Sequence, residues 1–359
     1  MEIQQLLQLT VDRKASDLHL VVGVPPTLRV DGVLIKVHNE APLTPDEMDR
    51  LIKSILTASQ LERVTVNKEI DLALSFSQEA RFRVNVYYQK GTLSAALRRI
   101  PLKIPTIDEL KLPKICYQFT KLRQGFVLVT GPTGQGKSTT LAAMIGEINR
   151  TRPAHILTIE DPIEFFFDPQ QALVSQREMN EDSHSWPVAL RSALREDPDV
   201  VLIGEMRDYE TIAAALTVAE TGHLVFATLH TNSASQTIDR IIDVFPPEQQ
   251  AQIRLQLSNV LEGVFSQRLV PLLTGGRTVA YEVLTATDAV RTTVREGKTH
   301  LIDNIIRTST EFGMMTLETT LAGFVKQGLV SFEEARSFSI RPQELARLVK
   351  GQMKTNEEI

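Results

Sequence analysis

Residues 131–138 read Gly-Pro-Thr-Gly-Gln-Gly-Lys-Ser and match the pattern Gly-x-x-x-x-Gly-Lys-Ser at every fixed position. Glycines allow backbone N–H groups to close around phosphate oxygens, and a helix that begins there adds partial positive charge. Lys137 would reach the β- and γ-phosphates, and Ser138 would offer its hydroxyl to Mg²⁺. The motif therefore predicts a site for ATP with Mg²⁺. The predicted nucleotide-binding residues are Gly131, Pro132, Thr133, Gly134, Gln135, Gly136, Lys137, Ser138 and Thr139.

Glu205 supplies a carboxylate at the end of the mostly apolar segment Asp199-Val-Val-Leu-Ile-Gly-Glu205. The end of such a strand is where a metal ligand or a water activator belongs, although Gly204-Glu205 stands here in place of the usual aspartate. A polar residue that merely ends a strand is the competing interpretation. We predict Glu205 as a catalytic residue and, with Ser138, as a metal ligand.

A second acidic cluster, Glu160-Asp-Pro-Ile-Glu164, follows another apolar run. Carboxylates at the C-terminal edge of a parallel sheet face the nucleotide crevice, so one of them could orient or deprotonate the attacking water. An acidic surface turn is the alternative. The residues alone do not choose among Glu160, Asp161 and Glu164.

Two histidines, His223 and His230, flank a further apolar run. The sequence Thr228-Leu-His-Thr would place His230 near the γ-phosphate, where it would sense hydrolysis, and we predict it as a site residue. A structural role is the alternative for both histidines. Their spacing is not that of a zinc site, and no cysteine or carboxylate set completes one.

Alternating strands and helices must position these groups. Residues 126–130, 155–159, 200–203 and 223–229 are predicted strands, and residues 137–149 are a predicted helix. Continuous apolar strands separated by helices indicate a largely parallel sheet covered on both faces. After about residue 285 the pattern becomes helical.

Residues 1–100 read as a small mixed domain. Predicted strands are 17–22, 28–31, 69–76 and 81–88, and a helix begins after Thr44, which we expect to be its N-cap in a capping box with Glu47. Within residues 81–88 the period of two places Arg81 and Arg83 on one face.

Prolines at positions 101, 105 and 113 mark residues 101–113 as a linker. The predicted division is therefore a domain at 1–100, the linker, a second domain at 114–285, and a helical subdomain with its tail at 286–359.

The composition is that of an ordinary globular protein. Of 359 residues, 42% are apolar and 23% charged, and 39 Lys+Arg against 44 Asp+Glu give a net charge of −5. This excludes a disordered or fibrous chain and argues against a surface devoted to nucleic acid. A single cysteine favours a reducing compartment. Without a spanning segment or a secretory signal, we expect a cytoplasmic protein that meets a membrane only through a partner.

The motifs, taken in order, resemble those of the secretion ATPase superfamily, and most of all the type IV pilus retraction ATPases of the PilT family. The resemblance rests on residues 131–141 (Walker A), 159–165 (Asp box), 194–208 (Walker B) and 219–231 (His box), and it extends from residue 15 to about residue 336.

This resemblance implies an α/β fold in which a PAS-like α+β N-terminal domain precedes a RecA-like P-loop ATPase domain with a C-terminal helical subdomain. It implies a homohexamer, Glu164 as the water activator, and Arg81, Arg83 and Arg98 as arginines that reach the nucleotide. The implied partners are the inner-membrane platform protein of the pilus and a paralogous pilus ATPase, without direct membrane insertion. The implied work is pilus retraction and twitching motility.

Residues 289–296 resemble the family's C-terminal motif, with Thr292 and Thr293 departing from it. We expect this helix to face a partner, with Arg291 and Arg295 projecting together, and a solvated basic face is the alternative.

Three other functions remain open. A PilU-type accessory retraction ATPase is similar in several segments. Pilus extension and type II secretion ATPases are longer at the N-terminus, and many carry a four-cysteine element that this chain does not match. RecA-like nucleic-acid translocases use basic channels with stacking aromatics, and no such interleaved run is seen here.

Overall fold

The structure is a computed structural model that describes residues 1–30, 32–76, 80–100 and 103–350. They form two compact units. The first contains the described residues of Met1–Lys103 and Pro162–Phe166, and the second contains those of Ile104–Asp161 and Phe167–Ile359. Among the described residues, no helix has both the length and the apolar character needed to cross a membrane.

The first unit is an antiparallel sheet with helices. Its strands are β1 (Asp17–Leu20), β2 (Thr27–Val30), β3 (Val33–Lys36), β4 (Glu69–Phe76), β5 (Ala80–Gln89) and β6 (Thr92–Ile100). Their order in the sheet is β3-β2-β1-β6-β5-β4. The helices are α1 (Ile3–Asp12), α2 (Pro45–Lys53) and α3 (Ala58–Asn67). Apolar side chains of α1, α2 and β5 share one hydrophobic core.

Two local predictions for this unit are confirmed. Thr44 caps α2 in a capping box with Glu47, and Pro45 is the first residue of the helix. In β5, Phe82 is completely buried, whereas Arg81 and Arg83 lie on the opposite face and are partly exposed. Strands β3 and β6 were not predicted. All four side chains of β3 are exposed and β6 buries three successive residues, so neither alternates in burial.

The second unit contains a seven-stranded mixed sheet. Its strands are β7 (Gly125–Thr130), β8 (His155–Glu160), β9 (Leu173–Glu178), β10 (Val200–Ile203), β11 (Leu224–Leu229), β12 (Leu261–Pro271) and β13 (Arg277–Thr285). Their order is β13-β12-β7-β11-β10-β8-β9. Neighbouring strands are parallel except β12 and β13. Every residue of β7, β10 and β11 is buried, as expected for strands covered on both faces.

Helices of the second unit connect and cover these strands. They are α4 (Ile115–Lys121), α5 (Lys137–Thr151), α6 (Trp186–Ala193), α7 (Tyr209–Glu220), α8 (Ala234–Asp243), α9 (Pro247–Val260), α10 (Asp288–Arg295), α11 (Ile302–Thr308), α12 (Leu317–Lys326), α13 (Phe332–Phe338) and α14 (Pro342–Lys350). The four predicted strands and the helix after the first of them are confirmed, with ends that differ by a residue or two.

The C-terminal helices pack in two places. Val290 of α10 and Ile302 of α11 join the main core of the sheet. Leu321 of α12 and Leu345 of α14 form a second cluster with Val270 of β12. The helical character expected after residue 285 is confirmed. The division into domains at 100, 113 and 285 stays a prediction, and residues 101, 102 and 351–359 of the predicted linker and tail lie outside the described residues.

Candidate functional site

Residues 131–136 form the loop between β7 and α5, as the motif predicts. Gly131, Gly134 and Gly136 have φ angles of +144°, +79° and +80°. A Cβ at Gly131 would lie 2.4 Å from the main-chain oxygen of Gln267 on β12. Both the backbone conformation and the lack of space therefore require glycine at position 131.

The first turn of α5 completes this loop. The Lys137 side chain donates from Nζ to the carbonyl oxygens of Gly131 (2.8 Å) and Pro132 (3.1 Å). Ser138 and Thr139 follow at the second and third helical positions and are partly exposed. The lysine ammonium and the N-terminal N–H groups of α5 thus lie at the same loop. This arrangement is suited to binding an anion.

His230, just beyond the end of β11, lies between the loop and Glu205. Its Nδ1 is 3.3 Å from the Thr133 hydroxyl, and its Nε2 is 3.6 Å from Glu205 Oε2. The second distance is longer than that of a hydrogen bond. The other carboxylate oxygen of Glu205 is 2.7 Å from Arg207 Nε. The structure therefore brings together three predicted site residues from separate segments: a loop hydroxyl, an imidazole and a carboxylate.

Gly204, which precedes Glu205, is closely packed against the end of β8. A Cβ at Gly204 would lie 3.3 Å from the Glu160 Cα. The Gly204 carbonyl accepts a hydrogen bond of 2.5 Å from the Thr228 hydroxyl on β11. A larger residue at position 204 would therefore require the end of β8 to shift by a few tenths of an ångström.

The residues of the second acidic cluster differ in their surroundings. Glu160 is the last residue of β8, is 8% exposed, and accepts a long contact of 3.5 Å from Gln176. Asp161 is exposed and Glu164 is partly exposed. Glu164 lies in Pro162–Phe166, which groups with the first unit, whereas the phosphate loop, Glu205 and His230 belong to the second.

The three predicted arginines lie on neighbouring strands of the first unit. Arg83 on β5 is directly opposite Arg98 on β6. The guanidinium of Arg81 lies 3.6 Å from the ring centroid of Phe166. Arg98 Nε donates to Asp17 Oδ1 at 2.9 Å. The sheet therefore gathers the three guanidiniums in one region of this unit.

Asp17 fixes the direction of Arg98. Burial alone would raise the pKa of Asp17, but hydrogen bonds from Arg98 and Ser16 outweigh this and hold the pKa below its ordinary value. Because Asp17 stays ionised, Arg98 keeps its partner although 71% of the arginine side chain is exposed.

The two arginines of the C-terminal motif helix make different contacts, whereas the expectation that this helix faces a partner stays a prediction. Arg291 donates from Nη1 to the carbonyl oxygens of Ser258 and Asn259 (both 2.9 Å) and from Nη2 to Glu262 (2.7 Å). Arg295 instead donates to Thr292. The expectation that Arg291 and Arg295 project together is wrong, because Arg291 binds the last carbonyls of α9.

A buried carboxylate supports the helix that follows His230. Glu282 on β13 is 1% exposed, and its Oε1 accepts 2.8 Å from the Ala234 amide at the start of α8. Burial raises the pKa of Glu282 from 4.5 to about 7. The Ala234 bond and Arg341 oppose the rise, whereas Asp303 and Glu318 add to it. Arg268 on β12 also faces this carboxylate.

This pKa predicts a pH dependence of stability. Between about pH 4.5 and pH 7 the folded chain holds a proton that the unfolded chain has released, so stability falls as pH rises through this window and levels off above it. Glu282→Gln keeps an acceptor for Ala234 and carries no charge. At about 1.4 kcal/mol per pKa unit, it should raise the free energy of unfolding at pH 8 by roughly 3 kcal/mol more than at pH 4.5. Denaturant unfolding of both proteins at the two pH values measures this difference, and an equal effect at both would show that Glu282 does not titrate in the window.

Sequence reasoning missed the contacts that β12 makes with the loop. Gln267 and Leu269 on this strand both bind Gln135, at 2.6 Å each. No signal in the sequence marked them, because β12 follows α9 directly and was not predicted as a strand. Arg207 was also overlooked, although it stands only two residues after Glu205.

Known proteins resemble this chain over nearly its full length. A family described as "Type II/IV secretion system protein" matches residues 2–337. The type IV pilus retraction ATPase PilT of Pseudomonas aeruginosa is 47% identical, over 96% of this chain and 99% of the relative. The type IV pilus ATPase PilU of the same organism is 39% identical, over 98% of this chain and 92% of the relative.

A solved structure agrees with these sequence matches. The crystal structure of the pilus retraction motor PilT with bound ADP has a TM-score of 0.91 and 44% identity, and the match covers 97% of this chain and 99% of that one. The likeness thus includes the α/β fold and its mixed sheet as well as the sequence. The chain therefore belongs to the type II/IV secretion system protein family and, within it, to the PilT-like group.

Proposed function

We propose that this chain is an ATP-hydrolysing motor that powers type IV pilus retraction, and hence twitching motility, by driving pilus disassembly at the inner-membrane platform. The observation that carries the proposal is the likeness to PilT, at 47% identity over 96% of the chain. The phosphate loop with Glu205 and His230 beside it supports the reaction of ATP with water to ADP and phosphate.

The proposed roles follow from side-chain chemistry. Lys137 neutralises charge on the β- and γ-phosphates, and His230 responds to the γ-phosphate through its position beside Thr133. Ser138 and Glu205 offer oxygen donors, the type that Mg²⁺ prefers, and would hold it together with phosphate oxygens. When bound, the metal would neutralise phosphate charge. Glu164 is the proposed water activator.

The proposed assembly is a cytoplasmic homohexamer that reaches the inner membrane through the pilus platform protein and works with a paralogous pilus ATPase. Each subunit would combine a PAS-like domain at 1–100, a linker at 101–113, a RecA-like core at 114–285 and a helical part at 286–359. The two compact units support this arrangement.

The function is tested by complementation in a strain that makes pili but cannot retract them. Expression of this chain should restore twitching and retraction, whereas Lys137→Ala at equal expression should not. Rescue only in the presence of a PilT-type protein would instead assign the PilU-type accessory role. Restored assembly of pili without retraction would assign the extension role, and turnover that depends on added DNA would indicate a nucleic-acid translocase.

The arginines are proposed to act on the nucleotide of a neighbouring subunit. Arg83 and Arg98 lie opposite each other on one face of the sheet, and the ion pair with Asp17 orients the Arg98 guanidinium. Guanidiniums of this kind stabilise charge that develops on the transferred phosphate.

Mixed rings test this sharing of sites. Arg83→Ala subunits keep an intact phosphate loop, and Lys137→Ala subunits keep the arginines. If Arg83 acts across a subunit boundary, mixed rings should regain turnover that neither variant shows alone. No recovery in rings of confirmed mixed mass would refute a shared site, and full activity of Arg83→Ala alone would remove this residue from the mechanism.

A further inference from the structure

Strand β12 continues past the end of β7, beside the phosphate loop. The last paired residues are Thr130 of β7 and Ser266 of β12, and β12 then runs on to Pro271. Beyond this point the edge of β12 that had paired with β7 meets the loop, while its other edge stays paired with β13. Gln267 Nε2 donates to the Gln135 carbonyl, and the Leu269 amide donates to the Gln135 side-chain Oε1, both at 2.6 Å.

Gln267 touches the loop at three places. Its side chain bonds Gln135, its main-chain oxygen lies against Gly131, and its Nε2 is 3.4 Å from where a Cβ of Gly136 would be. The residue is 1% exposed, and its Oε1 has no hydrogen-bond partner among the described residues. Among the described residues, the bond to Gln135 is therefore the single hydrogen bond that the buried side-chain amide of Gln267 makes.

We propose that Gln267 is a positioning residue that holds the phosphate-binding loop in its binding conformation, with Leu269 as the second anchor through Gln135. The inference rests on the proposed ATP site. Three loop glycines have positive φ angles, and glycine permits many other conformations. Two hydrogen bonds from a buried strand restrict that freedom before the nucleotide arrives.

The proposal predicts an effect on binding more than on turnover at saturation. If the anchor is lost, only a fraction of molecules has a competent loop, and the apparent dissociation constant rises by the inverse of that fraction. Bound phosphates then restore the loop geometry, so kcat changes little. Gln267→Met should raise the dissociation constants of MgATP and MgADP and the KM for ATP about tenfold, with kcat within about threefold of the wild type.

The stability of the fold should change little in Gln267→Met, because methionine removes the unpartnered Oε1 and fills a similar volume, and because Gln135, whose carbonyl loses its donor, is partly exposed. Gln256→Met is the matched control. It removes an amide that bonds Glu220, between α9 and α7, and should leave nucleotide binding unchanged.

Titration calorimetry with MgADP, thermal unfolding and steady-state kinetics on the full chain provide the readouts. Gln135→Met removes the Leu269 anchor separately. If both contacts hold one loop, the two variants should combine non-additively in a double-mutant cycle. Unchanged MgADP affinity in Gln267→Met, or a lower melting temperature with unchanged affinity, would overturn the proposal. A wild-type chain that binds no nucleotide would refute the proposed ATPase itself, whatever the variants show.

Discussion

Lys137→Ala should abolish ATP hydrolysis, with a loss of at least about 100-fold in kcat/KM. The Lys137 ammonium is buried at the first position of α5 and lies within 3.1 Å of two loop carbonyls. A positive charge there compensates the phosphates and the charge that develops on them during transfer, and a fixed donor of this kind is worth about 10²–10³-fold. Phosphate release in the presence of Mg²⁺ measures the loss.

Lys137→Met is the useful companion variant. Methionine retains most of the side-chain volume and loses the charge, so it should behave like alanine if the charge is what matters. Thermal unfolding checks that each variant folds. Turnover at the wild-type rate in either variant would show that the nucleotide site lies elsewhere.

Glu205→Gln should retain ATP binding and lose turnover by about 10²–10⁴-fold, the range typical of a positioned acid or base. Glu205 lies beside His230 and Arg207, and glutamine preserves its size without a carboxylate. Nucleotide affinity measured by calorimetry should stay near the wild-type value, while single-turnover hydrolysis should nearly stop.

The same experiment on the second acidic cluster separates its members. Glu164→Gln should also bind ATP without turnover if it activates water, whereas Glu160→Gln should act mainly on the fold, because Glu160 is buried at the end of β8. If Glu160→Gln stopped ATP hydrolysis while Glu164→Gln hydrolysed ATP normally, the water-activating role would belong to Glu160 rather than to Glu164. Normal turnover in Glu205→Gln would remove Glu205 from the chemistry.

The sequence alone predicted the loop at residues 131–136, Glu205 and His230 as candidate site residues, because their signals are local. The loop at residues 131–136 is specified by a segment of about 25 residues that contains the preceding strand, the loop itself and the following helix. The glycines in this loop have backbone conformations that other residues rarely adopt. The capping box of Thr44 and the alternation around Phe82 are local in the same way, and the structure has both.

Tertiary structure decided what those groups touch. Thr133 and His230 are 97 residues apart in the sequence, Arg98 and Asp17 are 81 apart, and Gln267 and Gln135 are 132 apart. The expectation that Arg291 and Arg295 project together failed for a related reason, since helical spacing does not show that the end of α9 lies close by. Periodicity reports which face of a strand is buried, but the order of strands in a sheet depends on long-range packing. For this reason the sequence alone predicted the loop at residues 131–136, whereas the position of β12 beside that loop was decided only by the folded sheet.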